Sequence, residues 1–341
     1  MYRFKQVKML KKNILTVLSL FIFSFFSLYT NSCAGAAASA QEYYSIGMAY
    51  FDLGKYEEAE KWLNRAKQSD RTMVASTYNL GRIAYETKRY ADAAKLFESI
   101  LKKDADNVLA LKAAAYSRIK TGDIEIAEKH YAKLLSIIPE SADDGYNRAL
   151  ILFALERYTQ AEEVLKNYPF ALYENKDTML LYARCQAKLK KVEAIDSFSN
   201  WLSVNSDAKV RYEYAQVLED NELYARALEE YQKALSEISA TAVNPKKNEV
   251  RFALARVMII ADGGNDEGVK ELQTAVSEGY GDIEAVENLL KNKVSAANKT
   301  DIQEIINSMK KAAAKEEEEK KKAEDAKKAK EAKTENANEP S

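Results

Sequence analysis

Few side chains in this chain could carry out catalysis or bind a metal, and their spacing argues against both. His130 is the only histidine, so a metal site with two histidine ligands is impossible. Cys185 lies among Leu181, Tyr182 and Ala183, with no histidine within sequence reach to activate its thiol. We therefore expect His130 to be a partly exposed surface residue and Cys185 to be a packing residue.

One glycine-rich stretch, 262–268, superficially suggests a calcium-binding loop. The position of the bidentate glutamate holds Gln273, however, and the position of the required glycine holds Glu267, so an ordinary hairpin turn is expected. The sequence has no glycine-rich phosphate loop and no serine nucleophile elbow. We predict a protein that is not an enzyme and that has no cofactor, metal or small-molecule substrate. An enzyme with a site in the connection 239–247 is the alternative.

The composition of the 341 residues limits the classes of partner. The 51 basic and 52 acidic residues give a formal net charge of −1, and no basic stripe alternates with aromatic residues, so nucleic acid is not an expected partner. Apolar residues make up 47% of the chain, which is ample for a core. With only two cysteines, Cys33 and Cys185, a structural disulfide framework is excluded in practice.

Residues 1–40 have the layout of an export signal. Basic residues from Arg3 to Lys12 precede an uncharged apolar run, 14–29, and small polar residues follow from Asn31. The apolar run is near the lower limit for crossing a bilayer, which takes roughly 17 to 25 residues. A signal sequence is therefore the first interpretation and an uncleaved anchor is the second.

The sequence is compatible with two ways of processing this signal. Small residues ending at Ala36 or Ala40 satisfy the small-x-small rule of ordinary signal peptidase, which would give soluble export. Cys33 follows the apolar run and Ser32, and this resembles the lipid-modification box of bacterial lipoproteins, with Thr30 where that box usually has leucine. Acyl chains on Cys33 would hold the protein on a membrane, at roughly 0.8 kcal/mol per buried methylene. Otherwise Cys33 is removed with the signal.

The elements that organise the rest of the chain form a repeat of 34 residues. This interval separates Gly47 from Gly81, and it separates the successive alanines at 59, 93, 127 and 161. A period of this length is typical of stacked helical hairpins, in which no unit buries its apolar face without a neighbour. Small residues let paired helices approach closely, while large residues such as Leu63 and Phe97 fill the remaining volume.

The residues at these positions resemble the tetratricopeptide repeat. Residues 43–50 and 78–85 each lead into a basic turn, an alanine and a large apolar residue, which is the pattern of that family. The resemblance implies an all-α fold, a right-handed superhelical solenoid of about seven helix-turn-helix repeats over residues 41–279. Proteins of this family generally bind other proteins.

The C-terminal segments are expected to end the array of repeats. Within 280–311, Asp282 can cap one helix, and 300–303 form a capping box for a second, so two capping helices would cover the last repeat. Residues 312–341 are a low-complexity tail of lysine, glutamate and alanine, with glutamates four residues before lysines as in stabilising helical pairs. The tail is predicted to be a solvated single helix that ends in disorder, with a spacer or partner-binding arm as the alternative.

The resemblance also implies a binding surface. In this family the first helices of successive hairpins line the concave face, where a groove for a partner polypeptide is expected. The groove residues would be Tyr44, Met48, Phe51, Tyr78, Arg82, Tyr85, Tyr116, Tyr146, Phe153, Tyr212 and Phe252. Aromatic side chains give a large contact area with few rotatable bonds, which suits a peptide-binding groove. The alternative is that these rings pack between neighbouring repeats. A two-carboxylate clamp is not expected, because Asn79 alone matches it.

These patterns together predict an exported, membrane-anchored scaffold or adaptor in a bacterial cell envelope. It would face the periplasm or the cell surface and would bind other proteins in its groove. A subunit of an outer-membrane assembly or secretion machine is one alternative, and a structural envelope spacer is another.

Overall fold

The structure is a computed structural model that describes residues 39–261, 266–292 and 294–336. The predicted export signal, Cys33 and most of the glycine-rich stretch 262–268 lie outside these ranges. Within them the chain forms 17 α-helices and no β-strand. The helices belong to two compact units, one ending at Ile137 and the other beginning at Ile138, which we call unit 1 and unit 2.

Unit 1 consists of three consecutive helix pairs, and each helix packs mainly on its neighbours in the chain. The pairs are α1 (Ala40–Asp52) with α2 (Tyr56–Ser69), α3 (Val74–Glu86) with α4 (Tyr90–Leu101), and α5 (Val108–Thr121) with α6 (Ile124–Ile137).

Unit 2 contains four further pairs and three additional helices. The pairs are α7 (Ala142–Ala154) with α8 (Tyr158–Lys166), α10 (Lys176–Lys188) with α11 (Ala194–Val204), α12 (Ala208–Asp220) with α13 (Tyr224–Glu237), and α14 (Lys247–Ala261) with α15 (Asp266–Ser277). The additional helices are α9 (Pro169–Glu174), α16 (Ile283–Leu289) and α17 (Ala296–Asn336). The prediction of an all-α fold with about seven helix pairs and C-terminal capping helices is confirmed.

In six of the seven pairs the first helix is followed by a left-handed residue, and the first five of these residues lie 34 positions apart. They are Gly54, Lys88, Gly122, Glu156, Lys190 and Glu222, with φ between 53° and 83°. The residue after each one donates its backbone N–H to the carbonyl five residues earlier, as from Arg89 to Ala84 at 2.7 Å. This is the Schellman arrangement, which satisfies carbonyls that the end of a helix leaves free. This turn marks the end of the first helix in these six pairs.

Glycine should be preferred at these turns, since other residues are strained at positive φ. We expect Glu156→Gly, at φ 58°, to raise the free energy of unfolding by about 0.5 to 1 kcal/mol. Gly122→Ala should lower it by about 1 kcal/mol, because a Cβ there meets no atom within 4 Å and φ is the only strain. Urea denaturation followed by circular dichroism measures both changes. A Glu156→Gly variant that is less stable than wild type, or a Gly122→Ala variant that is at least as stable, would contradict the argument.

The core of unit 1 shows the small-and-large pattern expected from the sequence. A Cβ on Gly81 would lie 2.7 Å from Cε1 of Phe97, so only glycine leaves room for that ring, which is 2% exposed. Gly47 stands against Leu63 in the same way. Around these contacts, Ala59 and Ala93 are fully buried. Glycine and alanine thus bring the paired helices close enough for one large side chain to fill each gap.

Unit 2 ends in an apolar cluster that joins the last pair to the C-terminal helices. Val286 and Leu289 of α16 and Ile302 and Ile306 of α17 are buried together with Leu272 of α15. Asp282 caps α16 as predicted, because its carboxylate accepts a hydrogen bond from the N–H of Ala285. These helices shield apolar surface that the last pair would otherwise leave exposed.

Two local features differ from the expectations. The capping box predicted at Thr300 is wrong: α17 begins earlier, where Ser295 accepts a hydrogen bond from the N–H of Asn298, and the Thr300 hydroxyl donates to the carbonyl of Ala296 inside the helix. The short helix α9 was not predicted, although Pro169 at its first turn is a start signal.

The α17 helix continues through the low-complexity tail as far as Asn336. Glu316 pairs with Lys320 at 2.6 Å, and Glu318 pairs with Lys322, so the predicted four-residue charge spacing is used. Across the described residues, no helix combines the length and the apolar character that crossing a membrane requires.

Candidate functional site

Unit 1 carries seven of the predicted groove residues on the first helices of its three pairs. We call this set the unit-1 aromatic surface: Tyr44, Met48 and Phe51 on α1, Tyr78, Arg82 and Tyr85 on α3, and Tyr116 on α5. Arg82 and Tyr116 are exposed, and the other five side chains are half-buried. The surface is therefore partly packed and partly open to a partner.

A polar network fixes the orientation of the α1 and α3 side chains. Asn79 donates a hydrogen bond from Nδ2 to the hydroxyl of Tyr44 at 3.0 Å and accepts one from Arg82 at 3.0 Å. The guanidinium carbon of Arg82 lies 4.4 Å from the ring centroid of Phe51, a cation–π distance. The positioning role of the buried Asn79 was missed at the sequence level. Its signal is an asparagine inside a helix, where this residue is unfavourable.

The aromatic rings are held at one edge by the second helix of their own pair. Ring centroids lie 5.3 Å apart for Tyr78 and Phe97 and 5.2 Å apart for Tyr85 and Tyr90. Burial raises the pKa of the Tyr85 hydroxyl above its usual value, consistent with a ring that is partly packed. Packing thus restrains the rings without covering them, and rings restrained in this way lose little entropy on binding a partner.

A cavity of about 280 Å³ opens between α3 and α5, and we call it the unit-1 cavity. It is lined by Arg82, Tyr85, Glu86, Phe97, Ala113 and Tyr116. The walls are mainly apolar, with charged groups contributed by Arg82 and Glu86 alone. Cavities for drug-sized ligands usually reach roughly 300 to 1,000 Å³ and contain several convergent polar groups. This one suits a single large side chain.

Unit 2 brings two of its four predicted groove residues, Phe153 and Tyr212, into one larger cavity of about 630 Å³. The other lining residues are Arg184, Ala187, Lys188, Phe198, Lys209, Glu213, Gln216, Val217, Asp220, Asn244 and Pro245. Arg184 and Glu213 form a two-bond ion pair at 2.8 and 3.0 Å. The contribution of Asn244 and Pro245 was missed, since it depends on how the 239–246 connection folds.

The other two predicted residues of unit 2 do not line this cavity. Tyr146 is half-buried, and burial raises the pKa of its hydroxyl. Phe252 is a wrong prediction as a groove residue, because it is 3% exposed. Its ring is stacked on Tyr280 with centroids 4.1 Å apart, since the chain turns back after α15 and covers this position.

His130 and Cys185, the two residues considered for catalysis, are packed against or paired with other side chains of the fold. His130 lies 3.5 Å from a carboxylate oxygen of Glu98, which Arg118 also holds, and burial lowers the pKa of His130. Cys185 is fully buried, and burial raises the pKa of its thiol to about 12, which suppresses thiolate chemistry. Over the described ranges, no group of three or more histidine, cysteine or carboxylate side chains could hold a metal ion.

The successive helix pairs and the restrained aromatic surface define an α-helical repeat protein. Residues 44–108 match the family model of the tetratricopeptide repeat, and residues 120–200 match the model described as anaphase-promoting complex, cyclosome, subunit 3. Residues 44–108 therefore contain tetratricopeptide repeats, the family that the sequence predicts.

Similar proteins cover different shares of the chain. An uncharacterized lipoprotein of Treponema pallidum (strain Nichols) is 25% identical over 162 residues, which are 47% of this chain and 83% of the relative. Protein O-mannosyl-transferase Tmtc3 of Drosophila melanogaster is 24% identical over 125 residues, only 14% of its own length. The crystal structure of a tetratricopeptide repeat protein from Parabacteroides merdae has a TM-score of 0.47 at 21% identity and covers 74% of this chain and 97% of its own.

Proposed function

We propose that this protein is a non-catalytic adaptor of a bacterial cell envelope that binds partner polypeptides through its first helices. The observation that carries the proposal is the unit-1 aromatic surface with its open apolar cavity. The side chains are fixed by the Asn79 network and by ring packing, so binding needs little reorganisation. A cavity of side-chain size beside exposed rings fits an anchor residue of an extended or helical segment.

The envelope placement rests on the N-terminal sequence and on one relative. The charged start, the apolar run and Cys33 are arranged as in lipoproteins, and the relative that is 83% covered is described as a lipoprotein. Acylation of Cys33 would anchor the protein to a membrane, with the repeats facing the periplasm or the cell surface.

Affinity capture from detergent-solubilised membranes tests both parts of the proposal. Wild-type protein labelled with a fatty-acid analogue should retain co-purifying partners, and Cys33→Ala should lose the label. Tyr85→Ala combined with Tyr116→Ala should reduce partner recovery at least tenfold, because anchor aromatics typically contribute more than 1.4 kcal/mol to binding.

The matched control is Val204→Ala, which removes an exposed apolar side chain from α11, a second helix of its pair. Partner recovery should not change in this variant. Recovery that is equal in all variants would reject binding through the aromatic surface and would favour a structural spacer. The spacer alternative draws on α17, whose 41 residues span about 60 Å at 1.5 Å per residue.

A further inference from the structure

The most exposed aromatic side chains of the described residues lie on the short helix α9. Phe170 and Tyr173 are 81% and 79% exposed and stand three residues apart, so they share one face of the helix. The other apolar residues with comparable exposure, such as Val204 and Val243, are aliphatic and isolated. Two exposed aromatic rings on one helix face form an apolar patch, and contiguous apolar patches are typical of interaction sites.

Unit 1 offers the complementary feature, since the unit-1 cavity is apolar, open and of the size of one large side chain. Charges also match between the two features. The cavity rim has Arg82 and Glu86, and α9 is bordered by Glu174 and Lys176. Arg82 donates a hydrogen bond to the uncharged Asn79, and none of the four side chains forms an ion pair within the described part of the chain, so their charges can be balanced across a contact.

We propose that α9 of one copy inserts one ring of its aromatic pair into the unit-1 cavity of a second copy and packs the other ring on the rim, giving head-to-tail self-association. The inference rests on the proposed function, because it assigns a partner to the same unit-1 surface. The contact is heterologous: the two copies contribute different surfaces, so one free α9 and one free cavity remain in any open assembly.

The contact is expected to be weak and reversible. Two aromatic side chains bury roughly 150 to 250 Å² each, well below the roughly 1,200 Å² at which stable interfaces begin. Tethering copies on a membrane would raise their local concentration and compensate for low affinity. A bilayer is a poorer occupant for α9, because the exposed carboxylates of Glu163, Glu174 and Asp177 lie in or near this helix and bilayer surfaces are generally anionic.

Sedimentation velocity of the purified full chain over a concentration series tests the contact with two complementary variants. The α9 variant is Phe170→Ala with Tyr173→Ala, and the cavity variant is Ala113→Phe, which fills the cavity. Each variant alone should associate roughly thirtyfold more weakly than wild type, the effect of losing a binding hot spot. Mixed together, they should form a one-to-one complex, since the mixture contains one intact α9 and one intact cavity.

Tyr116→Ala is a second cavity variant, in case Ala113→Phe does not fold as judged by circular dichroism. Val243→Ala is the control and should associate like wild type. Wild type that stays monomeric throughout the series, variants that associate normally, or a mixture that does not pair would each overturn the proposal. Loss of vesicle binding or of a foreign partner in the α9 variant, without a change in mass distribution, would overturn it as well. These outcomes would not affect the adaptor function. That function is tested separately, by whether capture of other proteins depends on Tyr116.

Discussion

Gly145→Ala is expected to lower the free energy of unfolding by about 3 kcal/mol. A Cβ at this position would clash with Cε2 of Tyr168 and lie 2.6 Å from its Cζ, far inside van der Waals contact. Tyr168 cannot move away freely, because its ring is buried and its hydroxyl donates a hydrogen bond to the carbonyl of Pro139 at 2.9 Å. The substitution therefore has two costs. It overpacks the core around Tyr168, and it displaces the hydroxyl from its buried hydrogen bond. Urea denaturation measures the loss.

The control for this prediction is Gly281→Ala, where a Cβ would meet no atom within 4 Å. It should change the free energy of unfolding by no more than about 0.5 kcal/mol. The double variant Gly145→Ala with Tyr168→Leu should be less destabilised than the sum of its single changes, since the smaller side chain removes the clash. Strict additivity of the two changes, or a Gly145→Ala variant as stable as Gly281→Ala, would contradict a clash with Tyr168 as the cause.

Glu219→Gln is expected to destabilise the protein by about 2 to 4 kcal/mol. Both carboxylate oxygens of Glu219 accept hydrogen bonds from Arg256 at 2.7 Å, and one also accepts from the hydroxyl of Tyr231 at 2.8 Å. Burial alone would lower the pKa of Arg256, but these bonds to Glu219 hold it above its usual value. The amide removes the charge and leaves a partly buried guanidinium without its counterion. Denaturant unfolding measures the effect.

The surface ion pair between Lys233 and Glu229 is the matched control. The Glu229 side chain is 64% exposed, so Glu229→Gln should change the free energy of unfolding by about 0.5 kcal/mol or less. In the double variant, Arg256→Met should recover part of the loss from Glu219→Gln, because it removes the unpaired charge. Equal losses for Glu219→Gln and Glu229→Gln would contradict a structural role for the buried pair.

Much of the fold could be predicted because the residues that repeat every 34 positions are the ones at which paired helices pack together. Glycine or alanine must stand wherever paired helices touch, and one large residue such as Phe97 must fill each gap, so a fixed spacing reports a fixed geometry. Features that occur only once in the chain produce no repeating pattern, so the sequence pattern did not predict them. The helix α9, the earlier start of α17 and the covering of Phe252 by Tyr280 each depend on one local contact.

The sequence also predicts which residues the first helices carry, but not the contacts that these residues make. The repeat places tyrosines and phenylalanines at fixed positions of the first helices, and the structure finds most of them partly accessible. The sequence pattern could not predict that Asn79 links Tyr44 to Arg82, because this contact joins side chains of two different repeats. The role of Pro245 in the unit-2 cavity was hidden for the same reason, since a connecting loop has no periodic pattern to interpret.

Site-specific photo-crosslinking in cells tests the central claim most directly, namely that the first helices hold partner polypeptides. A photoreactive residue at Tyr85, Tyr116 or Phe153 should give discrete adducts with other polypeptides, identified by mass spectrometry. The same residue at Lys129, exposed on the second helix α6, should give none. No adducts at the three aromatic positions, or equal adducts at Lys129, would contradict the account.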